Sequence, residues 1–463
     1  MIGQAASWGG PCASISATVL RILQHSNVDH DAPQRTVMWH LSRLSFENYR
    51  TFQRAEELVL APLTVLIGRN SSGKSAIARL PLLLRRGISA DAQAPLELEF
   101  DGHDFGASFV DVVHNRIPTR AIALGATVST GTSTVDLRVA VGYWGEFQLQ
   151  ALRGFQIDVN GRPLVDLEWN GQGDPIGAGL QYRDRIRGID FGIGLPRFIG
   201  MLLDPDRFDP GNLPLLDRLD SAIASVRDAL SSLVYLGPFR DAPAREMRLP
   251  EANVRDVGLR GGQAARALAS DWLRQGASVL GRVGEFYRDH LGGWQLDLER
   301  QGQSFSVVLH PPDDPTVSVN LRDAGVGLSQ VLPVVVQHEL DRAAGRSGGL
   351  DIVEQPELHL HPGVHGDLAD LYIEAVNQGS RRFMIETHSE NFILRIRRRI
   401  AERSLRPADV ALYWINDDPL ASPRVRRIAV DEHGGVDDWP RGVFAEDLDE
   451  VRAIRAAQRE SAP

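Results

Sequence analysis

The sequence runs to 463 residues, with 43% hydrophobic and 24% charged side chains. Those values exclude a disordered or fibrous chain and leave room for two or three ordinary domains, or one large domain carrying an insertion. A formal net charge of -10 excludes a surface coated for non-specific nucleic-acid binding, so only a local basic patch is left for such a partner. The single cysteine, Cys12, excludes an internal disulfide or a cysteine-rich zinc site and suits a reducing cytoplasm, where the chain is expected.

Residues 1–24 carry a weak apolar stretch without the positively charged start of a signal peptide, and residues 1–37 read as a flexible tail. His40 to Phe46 alternates as a strand. Leu58 to Ile67 reads as a second strand; it contains Pro62 and is far too short to span a membrane, and no transmembrane helix is expected. That strand runs into glycine and then a helix beginning near Lys74. Short alternating stretches follow at Ala121–Val128, Val135–Tyr143 and Phe155–Val159, with Asn160-Gly161 as a turn signal, and together they predict a β-rich lobe. Helical spacing covers Leu213–Leu233 and Gln263–His290, then strands resume at Trp294–Leu298 and Phe305–Leu309. Neither helix sustains the heptads of a coiled coil. A helix at Ser329–Ala344, a strand at Leu350–Glu354, a helix at Gly363–Val376, a strand at Arg382–Glu386 and a helix at Asn391–Glu402 alternate as a parallel sheet with crossover helices requires.

Of the 50 lysine and arginine residues only Lys74 is a lysine. It belongs to Gly68-Arg69-Asn70-Ser71-Ser72-Gly73-Lys74-Ser75, a complete GxxxxGK[ST] loop between a strand and a helix. In such a loop backbone N–H groups and the helix N-terminus surround phosphate, lysine reaches the β and γ oxygens of ATP, and serine holds Mg²⁺. Gly325-Val326-Gly327-Leu328-Ser329-Gln330 opens a later helix, either as a plain N-cap by Ser329 or as a second nest of donors for an anion. Ile352 to Pro362 puts Glu354 and Glu357 at and just past the end of a buried strand, where a hard cation needs oxygen ligands, although Asp351 interrupts the apolar run before Glu354. His359, His361 and His365 could suggest a metal site, though no cysteine lies nearby. Glu386-Thr387-His388-Ser389 ends the next strand and places His388 at the ligand crevice of an open α/β sheet. Arg395, Arg397, Arg398, Arg399, Arg403 and Arg406 form a basic face open to a phosphate backbone, an acidic partner or solvent. Arg240 and Arg245, after Gly237-Pro238-Phe239, are turn residues or nucleotide sensors.

Taken in order, GRNSSGKS, YLGPFR, GVGLSQVLP, EQPELHLHP and ETHSENFILR resemble the RecF/OLD-like, SMC-related branch of ABC-type ATPases over residues 41 to 400. The resemblance implies an α/β P-loop NTPase head of the ABC type, with a mixed or parallel sheet, flanking helices and a β-rich and helical insertion. It implies ATP and Mg²⁺ as cofactors, with Glu354 holding the Mg²⁺ shell alongside Ser75 and His388 as the switch histidine on the γ-phosphate. It also implies a homodimer in which ATP lies between Lys74 of one subunit and the signature loop (Gly325, Gly327, Ser329 and Gln330) of the other. In proteins that this sequence resembles, the stretch holding His359, His361 and His365 crosses the contact between subunits. Gln355 stands where such ATPases carry the glutamate that orients water, and an amide accepts no proton, so Glu357 is the substitute base or hydrolysis is slow. Expected boundaries are an ATPase lobe at 38–88, a β-rich lobe and insertion at 89–235, a helical region at 236–300, a second ATPase lobe at 301–405 and a C-terminal extension at 406–463. That extension contains Tyr413-Trp414, an Asp417-Asp418 turn and Trp439-Pro440 followed by Gly442 and Phe444; it is too short for a fused Toprim nuclease. Relatives act in DNA repair or phage defence. The implied partners are an effector protein encoded nearby and DNA or RNA, with no membrane.

Overall fold

A computed structural model describes residues 38–440, apart from positions 101, 175–178, 194–197, 204–212, 275, 315, 347, 380 and 438; beyond 440 it describes residues 450, 453, 454 and 458. The expected tail at 1–37, and Gly442 and Phe444, lie outside the described residues.

β1 (His40–Glu47) and β2 (Glu56–Val59) pair antiparallel, with Phe46 opposite Glu56. The single strand expected from Leu58 to Ile67 is two strands in two sheets. The chain leaves β2, turns at Ala61 and Pro62, and enters β3 (Leu63–Gly68). The Thr64 hydroxyl stabilises that turn by accepting from Ala61 N at 3.0 Å. Pro62 has no N–H for a ladder, and its carbonyl accepts from Phe383 N at 2.8 Å. After α1 (Lys74–Gly87), six strands form an antiparallel meander: β4 (Ile122–Ser129), β5 (Thr134–Trp144), β6 (Leu149–Val159), β7 (Arg162–Asp174), β8 (Gly179–Asp184) and β9 (Ile189–Ile193). They add to the first two in the order β9-β8-β7-β6-β5-β4-β1-β2. Val135, Leu137, Val139 and Val141 alternate inward along β5, as a sheet with one buried face requires. Asn160 and Gly161 both take positive φ, 51° and 71°, and close the tight β6–β7 hairpin that this dipeptide signals. α2 (Leu213–Ser231) lies across the meander.

The second sheet has the order β10 (Val234–Leu236), β13 (Leu350–Glu354), β14 (Arg382–Glu386), β3, β15 (Val410–Ile415) and β16 (Val425–Ile428). Its first five strands are parallel and β16 is antiparallel. Between β10 and β13 the chain forms α3 (Ala264–Arg274), α4 (Ser278–His290), the hairpin of β11 (Gln295–Gln301) and β12 (Ser304–His310), and α5 (Val326–Ala343). The helix expected over Gln263–His290 is broken at Gly276 and Ala277, both at positive φ. Asp271 at the end of α3 accepts from Val279 N at 2.8 Å and Leu280 N at 3.1 Å, so it caps the new helix. α6 (Pro362–Asn377) and α7 (Glu390–Ala401) follow β13 and β14.

The parallel sheet separates two cores. Leu66, Ile352, Met384 and Tyr413 face the core shared with α1, α2 and the meander. Leu63, Val65, Val353, Phe383, Ile385 and Leu412 face the core under α5, α6 and α7. A sheet covered on both faces reads as near-continuous hydrophobic runs, as these strands do. Asp351, which interrupts one run, is neutralised in place by the Arg381 guanidinium, with Nε at 2.8 Å. This is an α/β fold with a parallel sheet, an antiparallel sheet and flanking helices.

Candidate phosphate and magnesium site

The phosphate loop leaves the carboxyl end of β3 at the middle of the parallel sheet and turns into α1. Gly73 has φ +109°, and a Cβ there would stand 2.7 Å from the Phe52 ring, so spacing and backbone both require glycine. Gly68 needs closeness of a different kind: a Cβ would meet Ile415 O of β15 at 2.6 Å. α1 begins at Lys74, and its first-turn N–H groups have no partner within the helix. Lys74 is buried and donates to Gly68 O at 3.0 Å and Arg69 O at 2.8 Å, so the ammonium lies over its own loop. Burial lowers its pKa, opposed by the carboxylates of Glu386 and Glu354.

Two glutamates sit opposite each other at the ends of adjacent strands, Glu354 on β13 and Glu386 on β14. Glu354, expected to hold Mg²⁺, is instead held by protein: Oε1 accepts from Tyr235 OH and Arg79 Nε, both at 2.7 Å, and Oε2 from Arg79 Nη2 at 2.8 Å. Arg79 stands on α1, one turn beyond Ser75, where sequence spacing along a helix did not point to a strand end. The Ser75 hydroxyl donates to Glu386 Oε1 at 3.1 Å. Sequence reasoning passed over Glu386, whose signal was its place just before Thr387-His388. Burial, and then the charge of Glu354, raise its pKa to about 7, with Lys74 opposing.

Beyond β13 the chain turns at Gln355, whose φ is 46° and whose N–H donates to Glu386 O at 2.7 Å. Glu357 reaches the same neighbour strand. Its Oε1 accepts from Thr387 Oγ1 at 2.7 Å and His388 N at 2.8 Å, while Oε2 is buried without a hydrogen bond. Glu357 therefore braces the switch segment, a role the expectation of a base did not include. His388 is at the surface, yet partial burial of its ring, with Lys74 beside it, lowers its pKa to about 4. The imidazole is neutral at pH 7 and able to donate one hydrogen bond. His361 caps α6 by accepting from Gly363 N at 3.1 Å, and His365 bridges Ser389 Oγ at 2.8 Å and Leu360 O at 3.2 Å.

The signature loop differs in detail from expectation. Gly325, not Ser329, is the N-cap of α5. The Ser329 hydroxyl is turned into its own helix, donating to Val326 O at 2.9 Å, and the side that faces outward is Gly325 with Val326. Gln330 points inward: its Nε2 donates to Arg240 O at 2.8 Å. Arg240 is buried too, and its Nη2 donates to Glu354 O at 2.8 Å and Gln355 O at 2.9 Å, tying the signature helix to the end of β13. Arg245 is an exposed partner of Asp323 at 2.6 Å.

The residues after 406 belong to the site's foundation. Arg424 donates to Ser72 O at 3.1 Å, to Thr51 O and to Asn416 O, and its guanidinium lies 5.0 Å over the Phe52 ring. Asp417, read as part of a turn, pairs with Arg69 of the phosphate loop at 3.6 Å. The arginine-rich helix is largely neutralised within the chain: Arg395 and Arg399 pair with Asp370, Arg398 with Glu402, and Arg406 with Asp409.

Several buried polar atoms have no protein partner. Ser72 Oγ within the phosphate loop and Glu386 Oε2 beside Ser75 are two of them. Ser75 and Glu386 are hard oxygen donors of the kind Mg²⁺ takes, and the loop amides and Lys74 are of the kind a triphosphate takes. Residues 295–393 match the AAA ATPase domain family. The AAA ATPase match holds β11 to the start of α7, and so contains Ser329, Glu354, Glu386 and His388, while the phosphate loop lies upstream of it. No curated protein matches the chain. Among solved structures, the chain is similar to an Smc head bound to the C-winged helix domain of ScpA, at 10% identity and a TM-score of 0.45, covering 84% of this chain and 98% of that one. It is also similar to an SMC head domain from Thermotoga maritima, at 11% identity and a TM-score of 0.38, covering 85% and 99%. A third, from Pyrococcus furiosus, is an Smc head domain with an extended coiled coil bound to the C-terminal domain of ScpA; it has 11% identity and a TM-score of 0.39, covering 90% and 100%. Among the described residues no helix is long and apolar enough to cross a membrane.

Proposed function

We propose that the chain is an Mg²⁺-dependent ATPase whose two copies close around ATP to control a partner. The observation that carries this reading is the phosphate loop at the carboxyl end of the central parallel strand, with Lys74 over the loop and a carboxylate on Ser75. Bound Mg²⁺ would neutralise phosphate charge and polarise the γ-phosphoryl group. Loop amides and Lys74 bind the phosphates, Ser75 and a strand-end carboxylate hold the ion, and neutral His388 donates toward the terminal phosphate. The ABC-type resemblance supports a homodimer, with the outward end of α5 of one copy against the phosphate loop of the other. It also supports an effector protein and DNA or RNA as the things controlled, in repair or phage defence.

The test is phosphate release and nucleotide affinity of the full chain against Lys74→Ala. The parent should turn over ATP with Mg²⁺, and the variant should lose turnover and bind ATP at least about tenfold more weakly. Equal affinity in the two would overturn the reading. Gln355 favours a second reading, an ATP-gated scaffold that does not hydrolyse; binding that depends on Lys74 without turnover in the parent would decide for it.

A further inference from the structure

We propose that Glu386, not Glu354, is the carboxylate that holds Mg²⁺ beside Ser75, and that Glu354 serves to fix Arg79. The proposal rests on the phosphate-loop reading above and adds to it the identity of the metal ligand.

Glu354 is spoken for. Three donors occupy its two oxygens at 2.7–2.8 Å, and it is 1% exposed. A bidentate guanidinium leaves the carboxylate little to offer an ion, and releasing it would strand the Arg79 charge against a buried strand end. Its partners come from different elements, Arg79 from α1 and Tyr235 from β10. The arrangement locks the phosphate-loop helix to the edge of the sheet, which is a structural task.

Glu386 has the opposite character. It is 2% exposed, yet Oε2 has no hydrogen-bond partner in the protein, so this carboxylate has capacity to accept a further ligand that Glu354 lacks. Its other oxygen touches the one hydroxyl that a phosphate loop gives to Mg²⁺. Octahedral Mg²⁺ holds oxygens at about 2.0–2.1 Å, so neighbouring ligands of one ion lie about 3 Å apart. Ser75 Oγ and Glu386 Oε1 are 3.1 Å apart, the length of one edge of that octahedron. β14 lies directly between β3 and β13, so its terminal side chain is closer to the phosphate-loop strand than that of β13 is. The register agrees: Glu386 pairs with Leu66 of β3 on one side and Glu354 on the other.

The experiment uses the full chain, a fluorescent ATP analogue with and without EDTA, and Mn²⁺ as a paramagnetic probe in the presence of nucleotide. Glu386→Gln should lose the gain in nucleotide affinity that the metal gives, measured against its own affinity in EDTA, and should bind Mn²⁺ about tenfold more weakly or worse. Glu354→Gln should keep Mn²⁺ affinity and melt at a lower temperature. Glu386→Asp, which keeps the charge and shortens the reach, should also weaken Mn²⁺ binding and serves if the glutamine variant does not fold. Parental Mn²⁺ affinity in the Glu386 variants, or its loss in Glu354→Gln instead, overturns the assignment. A parent that binds no nucleotide in EDTA or with metal overturns the phosphate-loop reading itself.

Discussion

His338 shows how a single buried side chain sets a pH dependence. It lies on α5, with Glu339 at 4.0 Å and the Tyr372 ring edge-on at 6.5 Å. Burial, reinforced by the charges of Arg342 and Arg282, lowers its pKa from 6.5 to about 3. The unfolded chain takes up this proton as pH falls through 6.5, whereas the folded chain refuses it until about pH 3. Stability therefore drops on acidification between those values, and between pH 7 and pH 5 the contribution is about 2 kcal/mol. Asp351, raised to about 7 by its own burial and by Asp341, works in the other direction, since the folded state binds its proton first. The comparison that isolates His338 is therefore parent against His338→Leu, each unfolded by urea at both pH values. The variant should lose about 2 kcal/mol less than the parent on going to pH 5, whatever its stability at pH 7; an equal loss would show that the imidazole is protonated in the fold.

At the scale of elements, the hairpin of β15 and β16 holds the phosphate loop from below. Arg424 at the start of β16 forks between Ser72 O, Thr51 O and Asn416 O, and Glu56 of β2 accepts from Arg424 N at 2.9 Å and Val425 N at 3.2 Å. A lysine keeps the charge but not the planar fork, so Arg424→Lys should leave a buried carbonyl unpaired. The expected cost is about 1–3 kcal/mol of stability, seen as a lower melting temperature, together with weaker ATP binding. Unchanged affinity would mean the loop holds its shape without the hairpin. This dependence was invisible in a sequence with 49 arginines, obtained as 50 basic residues less one lysine, because nothing local distinguishes a brace from a solvated side chain. Lys74 and its loop were legible for the converse reason: every group needed to surround phosphate lies within eight residues. Hydrophobic runs likewise marked β13 and β14, whose burial on both faces leaves a continuous pattern. The same signal failed at Leu58–Ile67, where apolar residues continue through a change of sheet, and at Gln263–His290, where Asp271 starts a new helix in mid-pattern. Nothing in sequence order shows that Arg79, one turn beyond Ser75 on α1, reaches across to the end of β13 and takes both oxygens of Glu354.

Across the whole molecule, the two ends of the proposed ATP site are built by different supports. The phosphate loop rests on the parallel sheet and the β15–β16 hairpin, whereas the outward end of α5 rests on the second core and on the turn after β13. Gly327 fixes that second contact: a Cβ there would meet His359 O at 2.5 Å. A cavity of ≈ 290 Å³ beside it is lined by His290, Gly325, Leu328, His359 and His361, and Val326, between Gly325 and Gly327 in the chain, is 59% exposed. An apolar residue presented at a helix start, next to backbone donors, is suited to a second copy carrying a phosphate at that place. Gly325 allows a clean test, since its φ is −54° and a Cβ there meets nothing within 4 Å. Gly325→Arg should fold as the parent does and bind a slowly hydrolysed ATP analogue with the same affinity per chain, because the phosphate loop is untouched. Light scattering should show the parent doubling in mass with the analogue and Mg²⁺ while the variant stays single. If both double, the copies meet through another face and the end of α5 is not part of the site; if neither does, ATP acts within one chain. Turnover by the variant sharpens the result, because a composite site predicts that it falls together with the change in mass, while a self-contained site predicts that it survives.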